Sequence, residues 1–338
     1  MKTFDSNEPF ITESGSVLPA ISIVYETYGE LNAAGDNVIW ICHALTASAD
    51  AADWWPGMIG TGCAFDSSKH FVVCANILGS CYGSTGPLSI NPQTGKRWFY
   101  DFPLLTIRDT VKAHQLLADH LGIHRIALLA GGSMGGYQAL EWAASSPNFI
   151  DKLFLIATAA RETPWGIAIH TAQRLAIEAD GTWGKKQPDA GSAGLKAARG
   201  FGLITYRRYE RYLQTQADED AGKLENFRAS SYIHYQGEKL VKRFNAFSYH
   251  LLTRAMDTHN VARGRGESLA GVLQRLQQKT LIISIASDML CPPAEQELLA
   301  QNIPEAELIT IDSDYGHDGF LVETEKITEA IHHWLNKI

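Results

Sequence analysis

The sequence predicts an α/β fold, a mostly parallel central sheet with an inserted helical lid. Three observations carry that expectation. Short apolar runs of strand length, such as Val38 to Cys42 and Thr280 to Ile285, are interspersed with segments whose apolar residues recur at three- and four-residue spacing. One such run, Ile126 to Ala130, leads through Gly131-Gly132-Ser133-Met134-Gly135 into a helix-favouring segment, so a serine sits on a strand-to-helix turn. The stretch between the runs Leu153 to Ala157 and Thr280 to Ile285 is helical by pattern and far too long for one crossover helix.

In chain order, Met1 to Phe10 is polar and charged and lacks the apolar centre of a signal peptide. Ile21 to Tyr28 alternates apolar and polar residues, as an early strand does, and Asn32 to Asp36 reads as a turn. Val38 to Cys42 is a short buried strand ending at His43-Ala44-Leu45-Thr46. Phe71 to Ala75 is another, leading into the glycine-rich loop Leu78 to Pro87 and the turn-rich Asn91 to Lys96. A helix from about Thr106 to Leu121 precedes the serine turn. Helices are then expected over Ile167 to Ala179, Ala193 to Arg199 and Lys239 to Asp257, followed by strands Thr280 to Ile285 and Leu308 to Ile311. The division that follows is a core of residues 1–159 and 275–338, with 160–274 as a lid over the sheet's C-terminal edge.

Composition bounds the class. The 338 residues are 45% hydrophobic and 20% charged, which is globular, and the net charge of -8 offers no basic footprint for duplex nucleic acid. No apolar run reaches the length of a membrane span, so a cytoplasmic protein is expected. Five cysteines form no C-x-x-C pair and read as reduced thiols. Neither H-E-x-x-H nor a Walker A pattern occurs, so no metal and no resident cofactor are expected.

The serine turn is the centre of the chemistry. G-x-S-x-G between a strand and a helix is a nucleophile elbow, and the fold that carries it requires an acid and then a histidine further along the chain. Asp288 follows one strand and His317 follows the next, both at the strand ends where ligand sites of open α/β sheets collect. Serine is a weak nucleophile at neutral pH, so His317 would take its proton while Asp288 fixes the imidazole tautomer. The expected oxyanion donors are the backbone N–H groups of Leu45 and Met134, with His43 a loop-positioning residue.

Five segments, His43 to Thr46 (HALT), Gly83 to Pro87 (GSTGP), Ile90 to Lys96 (INPQTGK), Gly131 to Ala143 (GGSMGGYQALEWA) and Tyr315 to Leu321 (YGHDGFL), together resemble the homoserine O-acyltransferases of the α/β-hydrolase fold. The resemblance is nearest to the homoserine O-acetyltransferases and runs from about Tyr25 to the C-terminus. It implies transfer of the acetyl group of acetyl-CoA, a co-substrate, to the side-chain hydroxyl of L-homoserine in methionine biosynthesis, through an acyl-serine and ping-pong kinetics. It also implies acceptor contacts from Arg199 and Tyr206, with Arg199 suited to the homoserine carboxylate, Asp318 to its ammonium group and Thr46 nearby. Arg207, Arg208 and Arg211 are candidates for the CoA phosphates, and a homodimer through the lid is expected, with segments such as Phe247 to Met256 supplying apolar surface. Ala47, Ser80, Tyr82 and Cys291 depart from the family pattern near the acyl pocket. Succinyl-CoA as donor, serine as acceptor, a plain esterase or thioesterase, and a noncatalytic binding protein are the alternatives.

Overall fold

The computed structural model describes residues 1–337. Eight strands form one sheet: β1 (Lys2–Ser6), β2 (Ile21–Tyr28), β3 (Val38–Cys42), β4 (Phe71–Ala75), β5 (Ile126–Gly132), β6 (Lys152–Ile156), β7 (Lys279–Ile285) and β8 (Ala306–Ile311). Their order across the sheet is β1-β2-β4-β3-β5-β6-β7-β8. Strand β2 runs antiparallel to both neighbours, and every other pair is parallel. Strands β3 and β4 are buried at all positions, because helices or loops cover both faces of the sheet there. The polar strand β1 has no apolar periodicity to announce it and is defined by its pairing with β2 from Lys2↔Tyr25 to Ser6↔Ile21.

Helices α1 (Ile107–His120) and α2 (Met134–Ser145) lie on one face, where Val111, Leu117, Leu140 and Trp142 pack with Trp40 and Leu129 of the sheet. The ends of α1 fall within a residue of those expected, and its start is fixed by the capping box of Thr106 and Asp109. On the other face Trp55 and Phe65 join Ile327, Ile331 and Trp334 of the C-terminal helix, Thr324–Leu335, against Ile39, Ile41 and Phe154.

Between β6 and β7 come α3 (Pro164–Glu178), α4 (Ser192–Tyr206), α5 (Tyr209–Gln216), α6 (Arg228–Val241) and α7 (Ala246–Asp257). Two expectations fail here. The single helix over Lys239 to Asp257 is two, broken at Lys242–Asn245, where the Asn245 side chain accepts from Ser248 N at 2.8 Å and caps α7. The apolar segment Phe247 to Met256 is not free for another subunit. Phe247, Tyr249, Leu252 and Met256 are buried within the protomer, and the last three pack with Leu45, Ile77 and Tyr137. Periodicity reports that a face is buried and leaves open against what. Among the described residues, no helix is long and apolar enough to cross a membrane.

Candidate active site

Ser133 is the single residue between the end of β5 and the start of α2, and its φ of 54° lies in the left-handed region. A non-glycine residue there stores strain of about 1–3 kcal/mol and persists only where neighbours hold it. They do: Ser133 N donates to Ile156 O at 3.1 Å, and its carbonyl accepts from Thr158 Oγ1 at 2.8 Å and Gly136 N at 2.9 Å. The flanking glycines are required by close approach. A Cβ on Gly135 would lie 2.0 Å from the Cys42 carbonyl oxygen, and one on Gly131 would lie 2.2 Å from the Gly135 oxygen.

The loops after β7 and β8 bring the other two residues to this serine. His317 Nε2 lies 2.9 Å from Ser133 Oγ, and His317 Nδ1 lies 2.6 Å from Asp288 Oδ2. The second oxygen of Asp288 accepts from the N–H groups of Leu290 and Cys291 at 2.8 and 2.9 Å, which sets the carboxylate's orientation. All three side chains are buried. Burial alone pulls the His317 pKa down. The Asp288 charge and hydrogen bond, with Asp318 nearby, outweigh it and leave the pKa above 6.5. The arrangement is that of a serine hydroxyl with a base and an orienting acid, suited to nucleophilic attack on an acyl carbon.

Leu45 and Thr46 occupy the tip of a turn closed by Ala47 N donating to Ala44 O at 3.0 Å. Among the described residues the Leu45 N–H has no acceptor. Met134 opens α2, so its N–H is one of the helix's orphan donors. His43 braces the turn from beneath: Nδ1 bonds Ala44 O at 2.8 Å and Nε2 accepts from Ile77 N at 3.2 Å. Burial depresses its pKa to about 4, so it is neutral, in keeping with a positioning role.

A cleft of about 700 Å³ opens over Ser133 and His317 and is lined by Leu45, Thr46, Arg199, Tyr206 and Asp318 among others. The structure therefore brings together every proposed acceptor contact. Arg199 Cζ lies 5.5 Å from the Tyr206 ring centroid, that ring lies 5.9 Å from the His317 ring, and Arg199 has no carboxylate within 4.0 Å among the described residues. Asp318 Oδ2 lies 2.8 Å from Arg207 Nε. Burial raises the Asp318 pKa, countered in part by Arg207, Arg199 and His317.

The cations read as phosphate ligands are largely committed elsewhere. Arg207 is the Asp318 counter-ion, Arg208 pairs with Glu210 at 2.6 Å and Asp314 at 3.2 Å, and Arg211 covers the Tyr315 ring at 5.0 Å. Lys239 and Arg243, which sequence reasoning missed, line the cleft without a carboxylate partner among the described residues. No local motif marks them: Lys239 lies on α6 and Arg243 in the break that follows it, so both positions depend on how that segment crosses the site. Asp288, Cys291 and His317 also bring three possible ligand atoms within 4.8 Å of one another. Two of these are bonded to each other, and burial raises the Cys291 thiol pKa well above its ordinary value, so the donor set does not suit a metal ion.

Known proteins share this architecture. A family model described as the alpha/beta hydrolase fold matches residues 37–324. The homoserine O-acetyltransferase of Chlorobium chlorochromatii (strain CaD3) is 47% identical over 344 residues, covering 99% of this chain and 95% of its own. The crystal structure of homoserine O-acetyltransferase from Bacillus anthracis superposes with a TM-score of 0.91 at 26% identity, covering 99% of this chain and 97% of that one. Esterase E22 superposes with a TM-score of 0.90 at 25% identity, covering 99% of both chains. With a nucleophile elbow at Ser133 and near-full-length likeness to these acyltransferases, the chain belongs to the homoserine O-acetyltransferase family of the α/β-hydrolase fold.

Proposed function

We propose that the protein transfers the acetyl group of acetyl-CoA to the side-chain hydroxyl of L-homoserine, a committing step of methionine biosynthesis carried out in the cytoplasm. One observation carries the reading: the Ser133–His317–Asp288 relay shares its cleft with Arg199, a cation that has no acidic partner within 4.0 Å among the described residues. A hydrolase needs only the relay, whereas an amino-acid acceptor also needs a carboxylate clasp.

In the first half-reaction His317 Nε2 takes the Ser133 proton as Oγ bonds the thioester carbonyl carbon. Leu45 and Met134 N–H groups hold the oxyanion, an effect of about 3–4 kcal/mol per donor in a well-studied protease. The carbon–sulfur bond then breaks and the thiolate leaves with the proton from His317. In the second, His317 takes the homoserine hydroxyl proton, that oxygen attacks the acetyl-serine, and Ser133 departs with the proton returned. Two half-reactions at one serine make the kinetics ping-pong. Arg199 holds the acceptor carboxylate through its two-pronged guanidinium, Asp318 with Arg207 as its counter-ion faces the ammonium, and Tyr206 and Thr46 complete the acceptor wall. The chemistry draws on acetyl-CoA as co-substrate and on no metal or resident cofactor. Residues 160–274 act as the lid that lets homoserine outcompete water. The exposed apolar residues Phe201, Ile204, Tyr209, Leu213, Leu224 and Tyr235 on it form the pairing face of a homodimer.

The likeness to esterase E22 favours one second reading, an ester hydrolase on the same relay. Thiol release from acetyl-CoA and from succinyl-CoA, each with and without L-homoserine or L-serine, separates the two. Release that depends on acetyl-CoA and homoserine together is the expected result, and acceptor-independent release overturns it. Arg199→Lys keeps the charge and loses the fork. It is expected to weaken homoserine use about 10- to 100-fold while leaving the acyl-enzyme burst intact, the loss of charge-assisted hydrogen bonds. Equal loss of both would remove Arg199 from the acceptor site.

A further inference from the structure

Arg243 sits in the break between α6 and α7, at the mouth of the cleft. Its Nη1 donates to the Thr46 carbonyl oxygen at 2.6 Å and to the Tyr82 hydroxyl, and its Nη2 lies 3.4 Å from Thr46 Oγ1. The Tyr82 hydroxyl in turn reaches Thr46 O at 3.4 Å, and Cys81 Sγ donates to the Arg243 carbonyl at 3.5 Å. One guanidinium from the helical segment thus grips the tip of the Ala44–Ala47 turn and the glycine-rich loop together. His43 and the Ala47 N–H secure the base of that turn and the Leu45 side chain packs into the core, but the backbone at Thr46 is held by Arg243 and, at the longer distance of 3.4 Å, by Tyr82.

We propose that Arg243 is a positioning residue for the oxyanion hole: by holding Thr46 it fixes the direction of the Leu45 N–H and couples that donor to the seating of the helical segment over the sheet. The physical ground is that an oxyanion donor stabilises the tetrahedral state only when preorganised, because reorienting it during reaction forfeits the gain. A hydrogen bond to a charged donor is strong enough to set a turn's conformation. The proposal rests on the acyl-serine reading above and goes beyond it, since nothing in that reading requires a cation at this place.

The test uses Arg243→Met, which keeps an unbranched apolar stem and loses every donor, and Arg243→Lys, which keeps the charge on a single donating nitrogen. Two rates are read: the pre-steady-state nitrophenol burst from p-nitrophenyl acetate, an acyl donor without phosphates, and steady-state turnover of acetyl-CoA with homoserine. Expected for Arg243→Met are burst and kcat reduced by the same factor, about 10- to 100-fold, below the 10²–10³ for outright removal of a donor. KM for both substrates should stay within about 3-fold, and Lys should restore part of the burst. A normal burst with a raised KM for acetyl-CoA would overturn the proposal and make Arg243 a contact for the donor's phosphates. A normal burst and unchanged KM would overturn it outright. Absence of a burst in the unaltered protein would instead refute the acyl-serine reading. Should Arg243→Met fail to fold, as judged by circular dichroism, the Lys variant is read by the same criteria.

Discussion

His317 illustrates how much one residue's chemistry depends on partners that are remote in the chain. Burial opposes its protonation, yet the Asp288 carboxylate at 2.6 Å and the nearby Asp318 leave its pKa above 6.5. Catalysis needs the neutral imidazole as base, so kcat/KM for acylation is expected to rise with pH through a midpoint above 6.5. Asp288→Asn removes the charge that raises the pKa. It should move that midpoint to lower pH and cut kcat by about 10⁴-fold, the size of the corresponding loss in a serine protease. A pH–rate profile of the nitrophenol burst checks both, and an unshifted midpoint in the Asn variant would refute the account. At this scale Ser133, Asp288 and His317 were legible because the elbow motif and chain order specify them. The pairing of Arg207 with Asp318 was not legible, because no local pattern names that partner.

Elements were legible where packing and local chemistry agree. Strands β3 and β4 are apolar at every position and buried at every position, and α1 has a capping box that marks its start. The boundary between α6 and α7 was missed although its signal, an N-cap asparagine three residues before a serine N–H, lies in the sequence. Continuous apolar periodicity from Leu240 onward hid it. Asn245→Ala is expected to destabilise the protein by about 1 kcal/mol, the usual worth of an N-cap. Urea denaturation should show a lower midpoint with an unchanged slope. Because Arg243 lies in the same break, the substitution also tests whether the grip on Thr46 depends on the cap, through the burst rate.

At the level of the whole molecule, the helices between β6 and β7 face two ways. Their inner surface, with α7 at its centre, is buried against the sheet's loops, while the outer faces of α4, α5 and α6 expose Phe201, Ile204, Leu213 and Tyr235. For the proposed homodimer, Ile204→Asp combined with Leu213→Asp is expected to convert a sedimenting dimer to monomer, since a charge in an apolar contact leaves an unpaired buried group. A wild-type protein that sediments as a monomer at micromolar concentration would rule that pairing out.

By itself the sequence determined the α/β class, the order of the main strands, the elbow and the three residues of the relay. Each of these rests on periodicity, turn chemistry or chain order, all local or one-dimensional properties. Only the tertiary structure decided that α7 is spent inside the protomer, that Asp318 pairs with Arg207, and that Arg243 grips the Leu45–Thr46 turn. Those contacts join residues distant along the chain, and which of them meet depends on how helices cross over the sheet, set by packing of the whole core.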